Sequence, residues 1–154
     1  MSKRVATKRE LKTFFDAVAD IPYPNSGGCL FFCYVFWLWL KKKGYDRSSF
    51  TINQYDYNET VIKRNIAFIE KKQKNAGSSN HFTWSYNGQE YDAEGIPSYT
   101  PGHRHVFKLR CVKRFCENAL INGSWNHMFD RNAAIKEVGT KLRISLPKSI
   151  KQKA

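Results

Sequence analysis

The chain has 154 residues, of which 42% are apolar and 15% aromatic, which excludes a disordered polyelectrolyte and fits one domain with a sizeable core. Its 26 basic residues against 13 acidic ones leave a formal net charge of +13. That excess implies a positive surface that attracts nucleic acid, acidic proteins or anionic lipid, and it excludes neither an enzyme nor a binding module.

Residues 1–6 read as a basic lead, and residues 1–9 lack the apolar stretch of a secretory leader. Thr7 followed by Glu10 fits a capping box, and Leu11, Phe14, Phe15 and Val18 recur at helical spacing, which predicts a helix over 8–19. Pro22 and Pro24 end it and lead through Asn25, Ser26, Gly27 and Gly28 to Cys29. Residues 29–40 are all apolar and are followed by Lys41, Lys42, Lys43 and Gly44. An all-round apolar helix belongs at the centre of a domain, and Gly44 suits its C-terminal cap. The run is too short for a bilayer, which needs about 20 residues, so no membrane association is expected. Cysteines at 29, 33, 111 and 116 are expected to be reduced thiols in a cytoplasmic protein.

Residues 50–55 alternate like a strand, and Val61, Ile62, Ile66 and Ile69 predict an amphipathic helix over 59–74. A polar loop over 75–80 precedes two aromatic strands joined by Asn87 and Gly88, a two-residue hairpin signal. After a Pro/Gly/Ser loop over 96–102, residues 106–112 alternate as a strand, with Phe107, Leu109 and Cys111 on one face. Residues 112–121 also suit a helix ending at Asn122 and Gly123. Asp130 caps a predicted helix through Val138 that stops at Gly139; residues 141–146 read as a last strand, and 147–154 as a basic tail. The expected class is a single α+β domain.

Three residues carry candidate chemistry. A thiol on the first turn of a helix meets unpaired backbone N–H groups and the positive end of the dipole, which favours thiolate. Cys29 holds that position. Nucleophilic thiol chemistry also needs a histidine to move the proton and a group to orient that histidine. His81 opens the first hairpin strand and Asp92 falls near the end of the second. Counting outward from the turn sets Tyr86 opposite Gln89 and His81 opposite Glu94. Asp92 is then a diagonal neighbour of His81, about 7–8 Å away between backbones, with Glu94 as the fallback carboxylate.

Glycines before a cysteine that starts a buried helix, a strand reading His81, Phe82, Thr83, Trp84, and Tyr91, Asp92 and Gly95 after a hairpin resemble the papain-like and transglutaminase-like thiol enzymes over residues 22–96. The resemblance implies a cysteine-bearing helix packed on an antiparallel sheet, with Cys29 as nucleophile, His81 as general base and acid, and Asp92 as the orienting group. It implies acyl chemistry at an amide bond through a thioester, with no metal or organic cofactor. The glutamine that papain-type enzymes place before the cysteine is absent here, so the Cys29 N–H and the Asn25 amide are the candidate oxyanion donors. Residues beyond 97 match no motif of that family.

Other readings stand beside this one. Cys33 reads as a packing thiol, and Cys29 has the same reading available. His105 precedes a strand and rivals His81 as base, with Asn118 or Asn122 to orient it. Cys111, Cys116, His103 and His105 offer zinc-ligating types at a spacing that matches no zinc knuckle. His127 reads as structural or surface. Basic residues gather at 3–9, 41–43, 71–72, 108–114 and 141–153, and Phe107 and Phe115 are candidates to stack bases. Two function classes follow: a cysteine-nucleophile hydrolase or acyl transferase acting on a protein or peptide, with acidic ones favoured by charge, or a basic module that binds nucleic acid or an acidic protein on a related, inactive fold.

Overall fold

The computed structural model describes residues 3–22, 28–76, 79–97, 102–107, 112–122 and 129–146. In chain order the elements are α1 (Lys8–Val18), α2 (Cys29–Lys43), β1 (Thr51–Asp56), α3 (Glu59–Ile69), β2 (His81–Tyr86), β3 (Gln89–Tyr91), β4 (His103–Phe107), α4 (Val112–Asn122) and α5 (Arg131–Leu142). The strands form one sheet in the order β3-β2-β1-β4, antiparallel at each pairing. The architecture is therefore α+β.

Helix α1 starts where Thr7 accepts from the Glu10 N–H and the Glu10 carboxylate accepts from the Thr7 N–H. This reciprocal cap satisfies two orphan donors of the first turn. Its buried side chains are Leu11, Phe14 and Val18. Helix α2 is the core: Phe31, Phe32, Cys33, Val35, Phe36 and Leu40 have no exposed surface. Gly44 ends it at φ +74, where a side chain would be strained.

Ile52 lies opposite Trp84 and Phe107, and Trp84 meets Phe36 of α2 at 5.1 Å between ring centroids. This face of the sheet, with Phe82 and Tyr86, receives α2 and α4. The other face carries a polar layer in which the Asn53 amide donates to Thr83 and Ser85 and accepts from Arg104. Helix α4 closes the far side of the core: Phe115 stacks on Phe107 at 4.8 Å and meets Phe82 at 5.9 Å.

Five expectations need correction. Helix α3 stops at Ile69 rather than 74, because Glu70 leaves helical geometry and Lys71 takes φ +63. Strand β4 begins at His103 rather than at 106, drawn by pairing of Asn53 with Val106 and of Asp56 with His103, and residues 108–111 lie outside the described residues. Its partner helix begins at Val112, and Cys111 and Leu109 lie outside the described residues. Helix α5 runs through Gly139 to Leu142, and 143–146 follow without strand pairing. Phe107 and Phe115 are buried on each other, so they are unavailable as base-stacking platforms.

Candidate active site

The first turn of α2 is capped by Gly28, which supplies no side-chain acceptor. The first-turn N–H groups of Cys29, Leu30 and Phe31 thus receive no cap from the Gly28 position and carry the positive end of the helix dipole. Cys29 is buried yet 7% exposed, whereas Cys33 and Cys116 have no exposed surface. Burial is the main force pushing the Cys33 and Cys116 thiols well above the ordinary range. Among the described cysteines, only Cys29 has any exposed surface.

His81 is the first residue of β2 and lies opposite Tyr55 of β1. Its Nε2 stands 3.8 Å from Asp92 Oδ2, and both side chains are 9% exposed. That separation is an ion-pair distance rather than a hydrogen bond. Burial works against the charged ring, but the Asp92 carboxylate and the Cys29 sulfur outweigh it together and push His81 from 6.5 up to about 9. The raised pKa favours the protonated ring beside a sulfur and a carboxylate.

Asp92 is fixed from behind. Strand β3 ends at Tyr91, and Asp92 and Gly95 exchange backbone hydrogen bonds of 2.6 and 3.0 Å. Gly95 adopts φ +112, which suits glycine. Within this turn Asp92 Oδ1 accepts from the Glu94 N–H at 2.9 Å. The other carboxylate oxygen is the one that faces His81. The ladder observed sets Tyr86 opposite Gln89 and Trp84 opposite Tyr91, and it ends before His81. Glu94, the fallback carboxylate, is exposed, and its bond to Asp92 comes from its backbone N–H.

The approach to His81 rests on Asp56, which the sequence did not single out. Asp56 is buried; its Oδ2 accepts from the Asn80 N–H at 3.0 Å and from the Ser79 hydroxyl at 2.8 Å. Its Oδ1 accepts from the Asn58 N–H at 2.8 Å. One carboxylate therefore ties the end of β1 to the two residues before His81. Gly102 presses on the same point: a Cβ there would sit 2.3 Å from the Asp56 carbonyl oxygen. Nothing local in the sequence signals the tie from Asp56 to Ser79 and Asn80, because those partners lie 23 and 24 residues away.

His105 stands apart from this cluster. It lies in β4, opposite Gln54, with its ring edge-on to Phe107 at 4.8 Å, and burial lowers its pKa. Asn118 is occupied by the Ala76 N–H and the Lys74 carbonyl. The side chain of Asn122 is not among those described, and Asn25, Cys111 and His127 also lie outside the described residues. His103 is exposed and 3.7 Å from Glu59. Among the described residues no group of three or more His, Cys, Asp or Glu is placed to hold a metal ion. No helix of the described residues is long and apolar enough to cross a membrane.

Compared with protein-family models, with curated proteins and with solved structures, the chain matches none.

Proposed function

We propose that the chain is a papain-like thiol enzyme that hydrolyses or transfers an acyl group at an amide bond of a protein or peptide. The observation that carries the reading is His81, held between Cys29 and Asp92 with its pKa pushed up to about 9. In this reading the ring carries the proton that the leaving nitrogen will need, and the Cys29 sulfur beside it is the nucleophile. With Nε2 turned to Asp92, Nδ1 is the nitrogen left for Cys29.

The thiolate adds to the amide carbonyl carbon and pushes the carbonyl π electrons onto oxygen. The Cys29 N–H, at the open first turn of α2, is the donor best placed for that oxyanion, with Asn25 as the proposed second. Collapse breaks the C–N bond as His81 gives its proton to the leaving nitrogen. A thioester on Cys29 results. Water or an amine then loses a proton to His81 and attacks the thioester, and the sulfur departs. Asp92 keeps the ring oriented and stabilises its charge throughout.

The test uses dimethylated casein with an added primary amine, read by peptide mass spectrometry. Cleaved peptides, deamidated glutamines or amine adducts that vanish in Cys29→Ala would support hydrolysis, deamidation or transfer respectively. Casein left unaltered, or altered equally by Cys29→Ala, would contradict the reading. A binding role without catalysis now rests on the charge of +13 alone, since the aromatic residues offered for base stacking are in the core.

A further inference from the structure

Side chains alternate along a strand, so His81, Thr83 and Ser85 of β2 point away from the face that carries Phe82, Trp84 and Tyr86. On this polar face Tyr55 pairs with His81 on one side of β1 and with Arg104 on the other. Arg104, Tyr55 and His81 therefore form one row across three adjacent strands. Neighbouring partners stand about 5 Å apart between Cα atoms, which puts Arg104 about 10 Å from His81. Tyr55 does not stand between them: it is buried, and its hydroxyl reaches over β2 to Glu90 of β3 at 2.7 Å. The row ends on the imidazole that Cys29 acts on.

Arg104 is anchored without being neutralised. Its Nη2 donates to Asn53 Oδ1 at 3.0 Å. Asn53 and Thr83 have no exposed surface. The Thr83 hydroxyl gives its proton to Glu90 and so accepts from Asn53 Nδ2, which leaves the Asn53 oxygen for Arg104. Glu90, the β3 carboxylate on this face, is taken by the Tyr55 and Thr83 hydroxyls. Among the described residues no carboxylate lies within ion-pair distance of Arg104, and the side chain is exposed. A buried amide thus holds an uncompensated guanidinium at the surface, in the row of the proposed general base. Asn53 and the Tyr55 hydroxyl occupy part of its fork of five donors, and the remaining N–H groups suit a carboxylate.

We propose that Arg104 is a specificity-determining residue that takes the side-chain carboxylate of an aspartate or glutamate in the polypeptide substrate, about two or three residues from the amide attacked by Cys29. An extended chain advances about 3.3 Å per residue, so a segment laid along the row from His81 covers the distance in about three. The inference rests on the thiol-enzyme reading.

The probes are alkylating peptides that report on Cys29 whatever the natural substrate is: tetrapeptide chloromethyl ketones, reactive at the C-terminal end, and iodoacetyl tetrapeptides, reactive at the N-terminal end. Each carries aspartate, asparagine or lysine at the second or third residue from the reactive carbon, with alanine elsewhere, and labelling rates at Cys29 are read by mass spectrometry. In at least one series the aspartate reagent is expected to label about tenfold or more faster than its asparagine counterpart. That ratio should fall toward one in Arg104→Gln and turn in favour of lysine in Arg104→Glu. It should hold in Lys63→Gln, which removes an exposed cation of α3. A ratio near one in both series, a ratio unchanged by Arg104→Gln, or an equal loss in Lys63→Gln would overturn the proposal. Iodoacetamide separates the two failures. If its labelling of Cys29 depends on His81 while the peptide ratios are flat, Arg104 is wrong and the thiol pair stands. If its labelling ignores His81, the thiol-enzyme reading falls and the substrate role of Arg104 falls with it.

Discussion

At the scale of single residues, the account turns on what holds a proton on His81. The Asp92 carboxylate is one of the two groups that raise it, so Asp92→Asn should move the ring from about 9 back toward 6.5, read by NMR titration of the His81 ring protons. An unmoved titration would mean that Asp92 is only a turn residue. Gln54 offers an independent check on packing. It is fully buried opposite Phe82 and His105, and neither its amide nitrogen nor its oxygen finds a hydrogen-bond partner among the described residues. Gln54→Met, of similar shape, should therefore raise stability by about 1–3 kcal/mol, checked by urea denaturation. Residue types and the hairpin count were enough to single out Cys29, His81 and Asp92 as candidates, since each sits at the end of an element with a strong local signal. Asp56 and Gln54 were not legible: one acts through a loop 23 or more residues away, and the other reads as an ordinary strand residue until its neighbours are placed.

At the scale of elements, the boundaries that mattered were set by tertiary pairing. The glycine and Asn signals at 87–88 were decisive because they fix a turn locally, with φ of +49 and +81. Strand β4 starts three residues earlier than expected because its partner β1 chooses the register, and alternation over 106–112 carries no information about that partner. Gly139 looked like a helix end, but α5 continues because Val138 and Leu142 bury the same stripe against the core. A Cβ at Gly139 would meet only the Ile144 carbonyl oxygen at 3.8 Å. Gly139→Ala should thus stabilise the protein by about 0.5–1 kcal/mol, seen as a higher melting temperature. Gly102→Ala should do the reverse. Its φ is +76, and the added Cβ would strike the Asp56 backbone, at a cost of about 1–3 kcal/mol. Because Asp56 holds the residues before His81, that variant should also slow Cys29 alkylation under conditions where it remains folded. Normal labelling in a folded Gly102→Ala chain would mean that the Asp56 knot serves stability alone.

At the scale of the whole molecule, an α+β domain was legible from the all-apolar α2 and the aromatic hairpin, and a basic surface from composition. The packing of α4 over Phe82 and Phe107 was not, and it buries Phe107 and Phe115, the two aromatic residues the sequence offered for base stacking. The site ties chemistry to folding through pH. His81 titrates near 6.5 when unfolded and near 9 when folded, so its contribution to stability is complete below about pH 6.5 and is lost as pH rises through about 9. The difference in unfolding free energy between the wild type and His81→Asn should shrink across that window, whereas a pH-independent difference would mean that the ring is uncharged in the fold. The central claim is the Cys29–His81 pair itself, and the most direct measurement is the pH dependence of iodoacetamide alkylation with the modified cysteine located by mass spectrometry. The account predicts rapid labelling at Cys29 in mildly acidic buffer, none at buried Cys33 and Cys116 in the folded protein, and loss of the acidic limb in His81→Ala. Slow labelling with an ordinary thiol profile, unchanged by that substitution, would contradict it.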